Sequence, residues 1–449
     1  MSYTNEIFYL IIPVLFTIYW IIPSKFHSCQ NGLMVVVSCW IYSLWNSVFL
    51  LALFWVILSS YAGGRFLEKE GNFKPLKHLI IFITVLPFFF IKYGKASVLI
   101  PVGISYYTLQ ALGYLFDVSR KQIRAEKSLI DYTLFISFFS AITSGPISKA
   151  DSLLPQIKTK HVFDYEKCKI GMKFFVWGLF MKVVVADHIS SYVDIVYGNF
   201  QNFSGADCML ACFFYSFQIY ADFAGYSMMA VGTSKVLGYD LINNFSRPYL
   251  ASSITDFWRR WHISLTNWLK SYVYIAIGGN RCSRIRNYTN IIITFLVSGL
   301  FHGAYLSFIF WGLIHGIAQI IEKYVHSNYK KGWMSVSWVM LARIIAVFCF
   351  VSFAWVFFRL STIHDAVGFI RHFSQLGTFN LHIIDLSSMA TIAMGIMLII
   401  LREIKDEFMD VKLSNHITTA SRWCFYLFLC SSILALGKLD SESFIYAAF

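Results

Sequence analysis

Apolar residues along this chain gather in long runs that carry almost no charge, separated by short basic segments. Ile7–Ser24, Asn31–Gly64 and Asn287–Ile321 contain no Asp, Glu, Lys or Arg. Less clean runs lie near 78–91, 97–116, 132–148, 170–186, 208–238, 333–358, 386–401 and 423–437. A helix of about 20 apolar residues crosses the hydrocarbon core of a bilayer, and helices satisfy their own backbone polar groups there. The pattern predicts an all-α, polytopic membrane protein with roughly 11 transmembrane helices. The first run opens on Asn5-Glu6 and lacks a small-residue cleavage site, so it reads as a retained span and not a signal peptide.

Three stretches depart from simple crossings. Asn287–Ile321 would reach on the order of 50 Å as one helix, too long for a single span, and Gly299 and Gly303 offer places to bend or break it. The apolar stretch 132–148 lies between two basic segments, 118–127 and 149–169. Either it enters and leaves on one side, or one of the basic segments is external. A re-entrant element requires cover from protein or a watery cavity. In 257–279, helical geometry puts Arg259, Arg260, Asn267, Lys270 and Ser271 on one side and Phe257, Trp261, Leu265, Trp268, Leu269 and Tyr272 on the other. This predicts one amphipathic interfacial helix, ended by Gly278-Gly279.

Composition narrows the class. The chain is 57% hydrophobic and 14% charged, against about 25% charged in soluble domains, which excludes a soluble large-core enzyme. The net charge of +13 sits in loops that flank apolar runs, the pattern of cytoplasmic loops, and this argues against nucleic acid as a partner. Nine cysteines show no Cys-x-x-Cys spacing, and Cys208 and Cys212 read as core packing. No repeat or soluble domain is evident, so 1–449 reads as a single integral-membrane domain.

Ionisable side chains at bilayer depth tend to mark a functional interior. His302 and His315 share the long charge-free run, 13 residues apart. On a straight helix they project from separate faces, which weakens a metal site, and no metal is expected. His302 reads either as a packed core histidine or as a base at the end of a cavity. His315, beside Trp311 and Gly316, reads as packing or a supporting hydrogen bond, and His262 could reach the same cavity from the amphipathic stretch. Histidine titrates near neutrality and suits proton abstraction from a hydroxyl. No Gly-x-Ser-x-Gly, phosphate loop or His-Glu-x-x-His is present. Group transfer onto an oxygen is the chemistry that fits.

The stretch "NNFSRPYLASSITDFWRRWHISLTNWLKSYVYIAIGGNR" (243–281), followed by "SGLFHGAYLSFIFWGLIHG" (298–316), resembles the membrane-bound O-acyltransferase (MBOAT) family. The branch it looks most like is that of bacterial alginate and peptidoglycan O-acetylation membrane subunits. "PVGISYYTLQALGYLFDVSR" (101–120), "TSGPISKADSLLPQ" (143–156), "GLFMKVVVADHIS" (178–190), "FQIYADFAGYSMMAVGTSKVLGY" (217–239) and "FAWVFFRLSTIHDAV" (353–367) agree in order. The resemblance implies a multi-pass protein of the bacterial cytoplasmic membrane with a funnel-shaped helical core at about 97–370. A C-terminal span and tail would occupy about 386–449. The funnel narrows to His302, and His262 matches a second family histidine.

The resemblance further implies an acyl-CoA or acyl-carrier donor on the cytoplasmic side, with acetyl-CoA as the expected donor and no bound cofactor. Donor or substrate contacts fall to Trp258, Arg259, Arg260, Asp222 and Asn244. An extracytoplasmic SGNH or esterase-like partner completes transfer to a polysaccharide acceptor. The terminal "FIYAAF" is similar to an aromatic motif whose tyrosine, here Tyr446, accepts the acyl group. Ala447, Ser271 and Phe301 depart from the family pattern. D-alanyl transfer from a carrier protein to teichoic acids is an alternative within the family. A transporter is a third reading, but no pair of related halves is seen.

Overall fold

The computed structural model describes residues 6–70, 74–94, 101, 103–143, 145–328, 337–375, 377–380, 383–408 and 419–438. Tyr446, and with it the terminal aromatic motif, lies outside them. The described residues are helical, and no β-strand forms among them. They group into two compact units. One runs to Gly178 and includes Tyr226–Asn243; the other comprises Leu179–Gly225 and the described residues from Asn244 to Lys438.

The first unit holds α1 (Glu6–Ile21), α2 (His27–Ser43), α3 (Phe49–Glu70), α4 (Lys74–Tyr93), α5 (Ile104–Ser119), α6 (Leu129–Ser137), α7 (Phe139–Ile142), α8 (Ala150–Lys158) and α9 (Tyr165–Leu179). Its core holds many buried tyrosine rings, two of which bond through their hydroxyls. Tyr132 donates to Ser60 Oγ at 2.7 Å, and Tyr114 accepts from Glu126 N at 2.9 Å. The apolar stretch 132–148, left open between a re-entrant element and a crossing, is broken at Phe138 between α6 and α7. Its 14 residues, Leu129–Ile142, would reach only about 21 Å as a helix, short of a crossing. The basic segments on either side can therefore share one face of the bilayer.

The second unit contains α10 (Asp187–Gly198), most of α11 (Gly205–Val236), α12 (Ile254–Arg260), α13 (Ile263–Leu269), α14 (Arg284–His302), α15 (Leu306–Asn328), α16 (Ser337–Arg359), α17 (Ile363–His372), α18 (Leu386–Phe408) and α19 (Thr419–Leu436). Among all described residues five helices are long and apolar enough to cross a membrane: α3, α4, α16, α18 and α19, over slightly shorter bounds in places. Together with the apolar composition, these make a multi-pass membrane protein; the expected eleven spans exceed these five. Cys208 and Cys212 are buried and free, as expected of packing residues.

The long charge-free run resolves into α14 and α15, which fold back on one another. The helix passes through Gly299 and stops at His302, so Gly303 marks the break and Gly299 does not. Gly299 serves the packing. A Cβ there would come within 2.4 Å of Phe308 O, and one on Gly312 within 2.3 Å of Phe295 O. The two backbones touch, which is how helices associate where lipid offers no hydrophobic gradient.

Before α10 the chain makes a π-helical turn, Phe180–Ala186, that carries Lys182. The Lys182 Nζ lies 2.7 Å from both Asp187 Oδ1 and Asp222 Oδ1, and all three residues are buried. A π-turn offsets side chains from the regular helical register, and here it carries an ammonium between two carboxylates. Lys438, just beyond α19, donates its backbone N–H to Val183 O of the same turn at 3.1 Å and its Nζ to Ser191 Oγ at 2.7 Å. The last described residues are thereby fixed to this buried ionic centre.

Two stability outcomes follow. Gly312→Val should lower the thermal midpoint of detergent-solubilised protein by several degrees, in keeping with about 1–3 kcal/mol for overpacking. Gly316→Ala, whose Cβ would first meet the side-chain tip of Ile292 at 3.0 Å, should lower it less; equal losses would contradict the backbone contact. Lys182→Met, which strands two buried carboxylates, should cost about 3–5 kcal/mol. Adding Asp222→Leu should restore part of that midpoint.

Candidate active site

His302 ends α14 in a buried aromatic shell. Its ring lies 5.0 Å from Phe358, 5.4 Å from Trp311 and 6.4 Å from Phe308, measured between centroids. The helix reversal explains the company it keeps. Phe308 and Trp311 come from α15, and Phe358 from the last turn of α16. Because the helix is broken, His302 and His315 do not diverge as on a straight helix. Both pack on the Trp311 indole, His315 at 5.2 Å. Among the described residues no three His, Cys, Asp or Glu side chains gather as a metal site would require.

The amphipathic stretch keeps its two faces but is not one helix. Phe257, Trp261, Leu265, Trp268, Leu269 and Tyr272 are all buried, while Arg259, Asn267 and Lys270 are exposed. Between α12 and α13 the chain breaks at His262, which takes a left-handed conformation with φ 43°. Such a backbone in a non-glycine residue costs on the order of 1 kcal/mol and needs support. Asn244 supplies it: its carbonyl accepts from Ile263 N at 2.9 Å and its Oδ1 from Ser264 N at 3.2 Å. Ser246 N in turn donates to Arg260 O at 2.9 Å. The break drives the His262 ring inward, edge-on to Phe223 at 4.7 Å. Periodicity read 257–279 as continuous because the interrupting partner lies far back in sequence, at Asn244.

A cavity of about 640 Å³ opens beside these helices. Along α14 it is lined by Ile291, Thr294, Phe295 and Ser298, and along α15 by Gln319, Glu322 and Lys323. Ser298 is one helical turn, about 6 Å, before His302. Trp258 closes the side of this inner end, with its ring 5.4 Å from Phe295 and 5.7 Å from Trp311. Arg259, Lys270 and Lys323 also line the cavity.

These cations differ in commitment. Arg259 and Lys270 make no ion pair among the described residues. Lys323 donates to Asn287 Oδ1. Glu322, the one acid on the wall, is occupied with the start of α12, accepting from Ile254 N at 2.6 Å and Thr255 N at 3.2 Å. The cavity can therefore hold an anion.

Other sequence-predicted residues have different surroundings. Arg260 does not line this cavity. It makes a bidentate pair with Glu407 at 3.0 and 3.1 Å and reaches Asp256 at 2.9 Å. Asp222 belongs to the Lys182 centre, and Asn244 clamps the His262 break. Trp258 and Arg259 are on the cavity wall. Sequence reasoning missed Ser298, Glu322, Lys323 and the aromatic shell of Trp311 and Phe358. The Glu322-Lys323 pair that ends the charge-free run was a signal, but only the antiparallel return of α15 brings it beside Arg259.

Comparison with known proteins places the chain in a family. The family model of membrane-bound O-acyltransferases matches residues 33–363. The chain is 33% identical over 386 residues to a peptidoglycan O-acetyltransferase of Helicobacter pylori, covering 75% of this chain and 72% of the relative. It is 32% identical over 393 residues to a probable alginate O-acetylase of Pseudomonas syringae pv. tomato, covering 82% and 74%. A teichoic acid D-alanyltransferase of Streptococcus thermophilus is 28% identical over 305 residues, covering 62% and 72%. With its buried histidine at the helix break and a family match over most of its length, the chain belongs to the membrane-bound O-acyltransferase family and is an acyltransferase.

Proposed function

We propose that this protein moves an acetyl group from a cytoplasmic thioester to a cell-wall or extracellular polysaccharide of the peptidoglycan or alginate kind, working as one domain in the bacterial cytoplasmic membrane. The observation that carries the reading is the buried His302, one turn beyond a cavity with uncommitted cations. Acetyl-CoA enters as substrate, its phosphates drawn toward Arg259, Lys270 and Lys323, with its pantetheine arm directed along the α14 wall toward Ser298. The rim charges suit any phosphate-bearing thioester, including the arm of a carrier protein.

The chemistry asks for a base and a hydroxyl. The hydroxyl oxygen attacks the thioester carbonyl carbon while His302 takes its proton. The carbon–sulfur bond breaks, the sulfur leaves as thiolate, and the imidazolium returns the proton to it. One ester and one thiol replace one thioester and one alcohol, with His302 regenerated. His262, held inward by the Asn244 clamp, orients His302 or steadies the carbonyl oxygen.

We assign the first acceptor to the Tyr446 hydroxyl. A phenol has a pKa near 10 and is little ionised at neutral pH, so a neighbouring base matters. The acyl-tyrosine then passes its group to an extracytoplasmic esterase-like partner, and that partner to the glycan. The funnel form expected from the family suits such a relay, because only the acyl group has to traverse the bilayer.

D-alanyl transfer to teichoic acid is the second reading, supported by relatives of that name at 27–28% identity over 59–62% of the chain. The O-acetylating relatives match more closely, at 28–33% identity over 75–89% of it, and favour acetyl.

His302→Ala should lower polysaccharide O-acetylation in cells at matched protein level by about 10²–10⁴-fold, the range for a lost general base; retained acetylation would remove the central assignment. With a labelled acetyl donor, label on the wild-type chain should map to Tyr446 and vanish in Tyr446→Phe. Label that persists at another residue would redirect the relay.

A further inference from the structure

A second cavity, of about 160 Å³, lies in the first unit where α1, α9 and the end of α11 meet. Its wall includes Leu15 and Phe16 of α1, Met172 and Phe175 of α9, and Thr233 and Leu237 at the end of α11. Thr233 supplies the one polar side chain among the described residues of that wall. A trapped water needs about two to four polar partners, so this space is dry. An apolar cavity of about 150 Å³ in another protein stays dry in the same way and takes up benzene.

Helices tend to close over a void, because interiors pack densely and an empty cavity is destabilising. Here the backbones hold it open. A Cβ on Gly171 of α9 would come within 2.7 Å of Gly232 O, and one on Gly232 of α11 within 2.6 Å of Gly171 O. The two helices are already in contact there. One turn later the Val236 carbonyl accepts from Trp20 Nε1 of α1 at 3.3 Å and from Cys168 Sγ of α9 at 3.5 Å. Trp20 is edge-on to Phe163 at 5.5 Å between centroids, and Phe16 lies 6.0 Å from the same ring. The helices are thus tied at two levels and cannot move inward to fill the space.

The surroundings of the cavity say what can enter. Leu15, Thr233 and Leu237 form its deep wall, each no more than 4% exposed. Pro13 and Met172, also on the wall, are exposed, and so are their neighbours Val14, Ile18 and Ile170. All five exposed residues are apolar, and α1 and α9 lie in runs that read as membrane spans. The opening therefore faces hydrocarbon, where the available apolar ligand is a lipid chain. We propose that this cavity holds the end of one acyl chain of a bilayer lipid, with room for roughly six carbons by comparison with benzene. The chain completes the packing that the glycine contact and the Val236 knot prevent the helices from completing themselves. The site shares no residue with the cavity lined by α14 and α15, so it does not depend on the donor reading.

The test uses full-length protein in nanodiscs of phosphatidylethanolamine and phosphatidylglycerol, doped with a phosphatidylethanolamine that carries a diazirine at the end of one acyl chain. After photolysis, peptide mass spectrometry maps the adducts to single residues. A lipid at an ordinary membrane-facing surface reaches Val14 and Ile18, whereas only a chain inside the cavity reaches Leu15 and Leu237. Wild type should carry label at all four. In Thr233→Leu, which fills the cavity, label at Leu15 and Leu237 should be lost while that at Val14 and Ile18 remains.

If Thr233→Leu does not yield monodisperse protein, Ile12→Phe narrows the cavity from the α1 side and is read in the same way. Wild-type label confined to Val14, Ile18 and the exposed Pro13 and Met172 would mean that lipid only passes over the opening, and would overturn the proposal. Label at Leu15 and Leu237 that is unchanged in the filled variant would overturn it too, because the chain would then reach them by another route.

Discussion

The close approach of α14 and α15 is the contact on which the site depends. Gly299 and Gly312 let each backbone reach the carbonyl of the other helix, within a distance that any Cβ would forbid. Once that register is set, the rest is geometry. Phe295 and Ser298 face the same cavity as Gln319 and Lys323, and the histidine at the end of one helix meets the tryptophan in the second turn of the next. Loosening the helix pair would move His302, its aromatic shell and a cavity wall at once. Small residues do this work in membranes because contact and hydrogen bonding replace the missing hydrophobic gradient.

A second constraint is how the chain disposes of its charge. Arg260 and Arg247 are committed to Glu407, Lys182 to two aspartates, and Arg359 to Asp194. Neighbouring arginines in sequence thus have opposite fates: Arg260 stabilises the short helix α12 through Asp256 and Glu407, while Arg259 faces the cavity without a partner carboxylate. Of these only the Lys182 centre is fully buried, and a buried pair is weak evidence for stability in itself. The π-helical turn at Lys182 and the His262 break are two of the places where regular helix is given up, and each is supported by specific bonds from distant residues.

Much of this was legible in the chain. The runs of apolar residues gave the helical membrane class, because a bilayer demands length and internal hydrogen bonding from whatever crosses it. The two faces of 257–272 were readable from spacing, and every residue assigned to the apolar side is buried. The break near His302 was expected from the excess length of its run. The exact point was not: of two candidate glycines, Gly303 ends the helix and Gly299 is retained within it as a packing surface. Arg260 and Asp222 look like ligands in a motif, and no local pattern reveals that carboxylates or an ammonium elsewhere occupy them.

The sequence by itself determined the solvent, the class of fold, the family and the identity of the histidine worth watching, since these depend on composition, periodicity and motif. The tertiary structure decided which side chains share a space. His302 with Trp311, Trp258 with His315, Asn244 with the His262 break and Lys182 with Asp222 are separated by 9 to 57 positions. Each pairing arises from a chain reversal, a broken helix or a π-turn, where the regular period that makes sequence readable no longer holds.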